Sequence, residues 1–362
     1  MDNRNLLSMK KIRYLLLSTI IISGTYSIEN TSANSKNMPN PKIDHIFIKT
    51  KTICVGRFLI DVPDNASIVY GPAHVPFPIR VYKGKPPAME SMINERLLEV
   101  KKEKKFAEGP LRENDNIIGK VIDGVMPGQK IIFGVSQQSG IFYRAHSYLP
   151  HGESIFVQEV DSFSGKREYG STVQELNVIA RLLRPRGELE IPQAPGICIE
   201  DGFVTEPPQT MREYVTLGIR LIDYPDVHFS MSTTNNMNLV GSDAIEPRLK
   251  QAEENARARG LGAWYSGIKT LRRGQRELGI WRGFEILARL PVQAVESQSH
   301  EFKYLSQGES KNPYLPMLEI ELRTGVKGNK VGGIEPSLSD EEAVLLWDRI
   351  TGSIRLRPFT TK

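Results

Sequence analysis

The sequence predicts an α+β protein of two tandem, topologically similar domains, each a mainly antiparallel sheet with two main helices on one face. Three observations lead there. The 362-residue chain writes one opening twice, C-V-G-R-F-L-I-D-V-P from Cys54 and C-I-E-D-G-F-V-T-E-P from Cys198. Each copy closes with an amphipathic helix running into a basic tail that ends in proline, at residues 173–185 and 343–358. Between opening and close, β-branched runs alternate with Gly/Pro turns at hairpin spacing. A period of roughly 150 residues is too long for a solenoid and suits two domains of ordinary size.

The first 27 residues read as an export signal. Arg4, Lys10, Lys11 and Arg13 precede an apolar core over 14–22 and a small, polar stretch over 23–27. That core is too short to span about 30 Å of hydrocarbon. Cleavage is expected after Ser27, a site nearer Ala33 being the alternative. Residues 28–50 read as a flexible leader, rich in Ser and Asn.

The first domain, 51–183, should open with a strand over 53–62 that ends at the Pro63-Asp64-Asn65 turn. A short strand over 79–82 and a helix over 89–106 follow, the helix placing Met89, Met92, Ile93, Leu97 and Val100 on one side. Strands are predicted over 119–125, 130–137, 142–149 and 154–160, and the closing helix over 172–183. Three Pro and two Gly make 184–197 a stiff linker. The second domain, 198–358, repeats the plan. It has strands over 202–205, 217–223 and 227–232, a polar helix over 244–259 stopped by Gly260, and strands over 277–288, 300–305 and 317–324. Its last helix is announced by Ser339 with Glu342, the spacing of a capping box.

The formal net charge of +5 arises largely in the signal segment, so the mature chain is near neutrality. The basic run at 100–105 is interleaved with Glu99 and Glu103 and reads as a solvated helix face, which argues against a nucleic-acid partner. No G-x-S-x-G or H-E-x-x-H occurs. The six His are scattered without ligand spacing, so neither cofactor nor metal is expected. Gly260-Leu-Gly262 follows a helix, where a nucleotide fingerprint needs a strand. The two Cys occupy corresponding places. They form either one bridge, Cys54 to Cys198, between the domains or two buried thiols. One segment reads as a contact surface: Trp264, Tyr265, Arg272 and Arg273 in a Gly-rich connection, residue types that dominate binding hot spots. Tyr304 and Tyr314, around Asn312-Pro313, are a second candidate. Trp264 could equally fold back as a lid on the core.

With Cys54, Gly56, Arg57, Asp61 and Pro63 in the first domain and Gly196, Cys198, Gly202 and Phe203 in the second, the chain resembles the two-domain immunity proteins against type VI secretion lipase effectors. The resemblance covers about residues 51–358. It implies a periplasmic, non-enzymatic protein whose partner is a cognate secreted lipase or phospholipase, monomeric when free and without a membrane anchor once the signal is removed. It supplies no catalytic residue to carry over. An exported hydrolase with dispersed carboxylates, or an envelope module for polysaccharide or lipid, are the competing classes. The signal reading is checked by intact mass: periplasmic protein should lack roughly the first 27 to 33 residues, and full-length cytoplasmic protein would contradict it.

Overall fold

The repeated opening motif is a hairpin where a single strand was predicted. In the computed structural model, which describes residues 40–360 except 85, 110–116, 137–139, 164–168, 207–211, 236–240 and 294–295, β1 (Thr50–Val55) turns back into β2 (Phe58–Pro63). Gly56, at φ 58°, makes that turn, in a region where a side chain would be strained. The signal segment and residues 28–39 lie outside the described residues. The rest of the expected leader is ordered: α1 (Pro41–Ile46) is capped by the Asn40 side chain, with Pro41 at its first position and Ile43 and Ile46 buried.

After β3 (Ser67–Tyr70) come β4 (Ala73–His74), β5 (Pro78–Lys83) and α2 (Pro86–Glu103). Four strands follow, β6 (Val121–Asp123), β7 (Lys130–Val135), β8 (Phe142–His151) and β9 (Ser154–Phe163), then α3 (Tyr169–Leu182). Their order in the sheet is β4-β5-β9-β8-β7-β6, antiparallel throughout. The expected linker is structured. Leu183–Pro185 form β10, and β11 (Gly196–Ile199) and β12 (Gly202–Thr205) make the second opening hairpin, turned at Asp201 with φ 48°.

The plan then repeats: β13 (Tyr214–Arg220), β14 (His228–Thr234), α4 (Ile245–Ala258), the short α5 (Gly262–Ser266), β15 (Lys269–Leu278), β16 (Trp281–Leu290), β17 (Ser299–Ser306), β18 (Met317–Arg323), α6 (Asp340–Thr351) and β19 (Arg355–Leu356). The order β13-β14-β18-β17-β16-β15 matches the first six-strand series strand for strand, and β13 also pairs antiparallel with β4 at Tyr214 and His74, which makes one continuous strand order. Ser339 and Glu342 form the expected capping box on α6. The single strand predicted over 277–288 is the β15–β16 hairpin, and β15 begins inside the segment read as a Gly-rich connection.

The helices lie on opposite faces of each sheet, where one face was expected. Side chains alternate along a strand, so the register decides. Gly134, whose absent Cβ would collide with Arg96 and Glu103 of α2, pairs with Arg144. Gln158, which donates to the Leu176 carbonyl of α3, pairs with Ser147, on the other face. In the second sheet Ile286 packs with Ile245 and Leu249 of α4, while the neighbouring Glu285 accepts from Trp347 Nε1 of α6. Hence β7 and β17 are buried along nearly their whole length, and neither shows the alternation that marks a one-sided sheet.

The chain forms two compact units, neither continuous in sequence. One holds Leu59–Val69 and Leu217–Leu356 with the described residues up to Ile53; the other holds Cys54–Phe58, Tyr70–Thr216 and the residues from Arg357. The reason is an exchange. β10, which follows the first closing helix, pairs with β12 of the second opening hairpin, and β19, which follows the second closing helix, pairs with β2 of the first. Each unit therefore combines one repeat's six-stranded sheet with the other repeat's hairpin. Cys54 and Cys198 are bonded, with Cα atoms 5.8 Å apart, and Gly56 and Cys198 exchange backbone hydrogen bonds of 2.9 and 2.7 Å. The bridge joins the two repeats but lies within a single unit. Closing 144 residues, it removes about 5 kcal/mol of unfolded-chain entropy in the loop-closure treatment.

Exchange makes a prediction. In a Cys54→Ser/Cys198→Ser chain with a protease site inserted at the exposed Leu189, the cleaved halves should stay together on size exclusion and unfold as one. Separation into two folded pieces would show that each repeat keeps its own hairpin.

Candidate functional site

The six sequence-derived contact candidates do not form one patch. Tyr304 is fully buried on the α6 side of β17, and Tyr265 is buried with Ala256, Ile268, Ala288 and Leu290. Trp264 packs, half-exposed, against that same cluster. Arg272 pairs across to Leu287 and so faces α6, where its guanidinium holds Glu285 (2.5 Å) and Asp348 (2.5 and 2.8 Å). Glu285, 4 % exposed, also takes Arg276 and Trp347. Arg272 therefore docks a helix. Arg273 is exposed on the α4 side, its guanidinium 5.8 Å from the Phe284 ring. Tyr314 is half-buried in the β17–β18 loop, its backbone N–H on Asn312 Oδ1. Trp264 and Arg273 thus share the α4 side near strand β15, which ends the order of the second sheet.

One arrangement has the outline of catalysis. His300 Nδ1 is 2.8 Å from Thr324 Oγ1, and Nε2 is 3.0 Å from Asp340 Oδ1: hydroxyl, imidazole, carboxylate. Thr324 is completely buried, so no substrate reaches the hydroxyl. Asp340 is already held by Lys269 (2.7 Å) and Arg289 (3.2 Å). Burial keeps His300 below the ordinary imidazole value despite Asp340. The chain of contacts ties the first turn of α6 to β17 and performs no reaction. Among the described residues no group of three or more His, Cys, Asp or Glu could hold a metal ion.

Equivalent charged stripes cross the α2 and α4 sides of the two sheets. In the first, Arg144 grips Asp161 bidentately (2.7 and 2.8 Å) and Arg80 reaches Glu159 (3.3 Å). Beneath α2, Arg96 holds Glu103 at 2.6 and 2.9 Å, and Glu103 also takes the Val135 N–H. His146 lies among these cations. Burial, then Arg96 and Arg144, push its pKa down to about 3. In the second sheet, Glu321 is shared by Lys303 (2.7 Å) and Arg323 (2.8 Å).

Sequence reasoning missed the buried arginines that hold the exchanged hairpin. Arg57, 3 % exposed, takes Glu213 bidentately (2.9 and 2.7 Å) and Glu206 at 3.1 Å. Arg186 spends its guanidinium on the carbonyls of Gly187, Glu188, Glu190, Ile199 and Gly202 and on Tyr70. Arg357 binds the carbonyls of Pro192, Ala194 and Gly196. Arg184 and Arg357, at matching places in the two basic tails, both stack on Phe203, at 4.9 and 5.2 Å. The repeated R-P ending was the available signal; its burial was not visible.

A two-part family profile matches both repeats. The Tle cognate immunity protein 4 N-terminal domain covers residues 51–181 and its C-terminal domain covers 190–359. The chain belongs to the Tle cognate immunity protein 4 family. That is a family of immunity proteins, not of enzymes. Solved structures share the fold. A chain of the Tle4–Tli4 complex aligns with TM-score 0.68 at 22% identity, over 86% of this chain and 98% of that one. The apo immunity protein TplEi of the type VI secretion system of Pseudomonas aeruginosa aligns with TM-score 0.66 at 21% identity, over 86% and 98%. TplEi complexed with the "L" peptide gives 0.64 at 23% identity, over 85% and 98%. No curated protein sequence matches.

The stripe of this family member has a pH signature. His146 titrates lower folded than unfolded, so the unfolded chain binds the proton more tightly, and the stability that its neutral form contributes above pH 6.5 is lost as pH falls toward about 3. His146→Gln should reduce the drop in urea midpoint between neutral and acidic buffer. An unchanged drop would show that His146 does not contribute.

Proposed function

We propose that this protein is a periplasmic immunity protein that binds its cognate type VI secretion lipase one-to-one and blocks it by covering the region through which the enzyme meets lipid. The observation that carries the proposal is the match of both repeats to the Tle cognate immunity protein 4 domains. The relative in the Tle4–Tli4 complex is an immunity chain seen with its effector, and TplEi is seen with a peptide. The buried hydroxyl–imidazole–carboxylate chain offers no competing chemistry. The basic n-region and short apolar core support export. No helix among the described residues is long and apolar enough to cross a membrane.

A lipase must expose an apolar rim to reach its substrate. A protein that covers the rim inhibits without reacting, and its anchors are expected among aromatic and arginine side chains that reach its surface. Arg273 is exposed and Trp264 half-exposed on the α4 side, whereas Arg272 is held between Glu285 and Asp348. Arg273→Ala should weaken binding of the lipase by roughly thirtyfold, about 2 kcal/mol, and lower the unfolding midpoint less than Arg272→Ala does. Arg272→Ala should lower the midpoint, because it leaves buried Glu285 short of a partner.

The decisive test directs the cognate lipase to the periplasm of cells with and without this protein. Survival only with the protein, together with co-purification of the pair, is the expected result. Equal killing in both strains, or turnover of lipid by the purified protein itself, would end the proposal.

A further inference from the structure

On the α4 side of the second sheet, a cavity of about 350 Å³ opens between β13, β14 and β18 and the turn that follows β18. Its wall is cationic. Arg220 ends β13, and His228 and Arg323 are direct cross-strand partners on β14 and β18. Such partners bring their Cβ atoms to about 5 Å of each other. Glu321 is the carboxylate in the lining, and it is already shared by Lys303 and Arg323. Nearby Asp226 is consumed by the backbone N–H groups of Gly325 and Ser337 and by the Ser337 hydroxyl.

The donors on this wall are left over. Arg323 gives Nη2 to Glu321, while its Nε is buried without a hydrogen-bond partner. Neither the Arg220 guanidinium nor the His228 ring makes a hydrogen bond or ion pair with a described residue. Burial and then the Arg220 and Arg323 guanidiniums, against the opposing charge of Asp226, hold the imidazole below its ordinary value. The lining also contains the apolar Val69, Val326 and Val331 and the polar Ser230 and Asn329. Two planar cationic forks, an imidazole, and valines interspersed with Ser230 and Asn329 suit an oxyanion carrying a small hydroxylated part.

We propose that this cavity binds a phosphate ester of the glycerophosphate type, with the phosphate on Arg220, His228 and Arg323, the glycerol carbons against Val69, Val326 and Val331, and its hydroxyls on Ser230 and Asn329, which also line the cavity. The ester comes free in solution or as a phospholipid head group, and the chemistry recognised is the same. Neither the immunity reading nor its anchors enter into it.

The test uses the full mature chain, with the His228 ring resonance as reporter. It is titrated with glycerol 3-phosphate, with inorganic phosphate, and with vesicles of phosphatidylglycerol or of phosphatidylcholine. A saturable His228 shift with soluble glycerol 3-phosphate supports the site and identifies a free ester as a source. A shift with vesicles alone supports the site and identifies the head group. Arg220→Ala removes a side chain that the fold does not use, so it should fold and weaken binding by about tenfold; Arg323→Gln should do the same. The proposal is overturned if no probe shifts His228, if inorganic phosphate binds as tightly as the ester, or if Arg220→Ala binds as the native protein does.

Discussion

The fold depends on charge buried beside backbone. A guanidinium taken out of water is tolerated only when its donors are met by carboxylates or carbonyls in good geometry. Arg57, Arg186 and Arg357 meet that condition around one short hairpin, through Glu213, Glu206 and a series of main-chain carbonyls. The carbonyls of residues 187–196 have few strand partners, since only Gly196 falls in a strand; the arginines supply the missing donors. The segment that joins the repeats is thus packed in place by hydrogen bonds, and the second hairpin is pinned in the unit that holds the first sheet. The disulfide at Cys54 adds a covalent constraint to the same place.

Much of this was legible. Duplication, strand content, the capping box at Ser339 and the closing helices follow from turn residues and local periodicity, which act over short stretches. Three features were not legible. The Gly56 and Gly279 turns split single predicted strands into hairpins, because a glycine inside an apolar run looks the same whether or not the chain reverses. The two helices of each sheet were assigned to one face: α2 buries Arg96 and Glu103 against its sheet, so the sequence of that face looks half-polar. The exchange of hairpins leaves no local trace at all. It preserves every strand and alters only which repeat each strand completes.

The candidate contact residues show the same limit. Trp, Tyr and Arg in a Gly-rich stretch are the composition of a hot spot and also of a helix-docking site. Tyr304 and Arg272 belong to the second kind, Arg273 to the first by its exposure. What separates them is parity along β15: adjacent arginines point to opposite faces, one toward the buried Glu285 and one toward solvent. A one-residue change of register would exchange their roles.

The exchanged hairpins also bear on how such a protein changes over generations. Families that recognise diverging partners often vary by recombining whole modules. Here a crossover at the repeat boundary would place foreign strands in both compact units at once, and would separate Arg57 from Glu213. Repeats are poor units of shuffling in this architecture. New specificity is more accessible through point changes at exposed positions such as Arg273, while the two halves of the gene are inherited together.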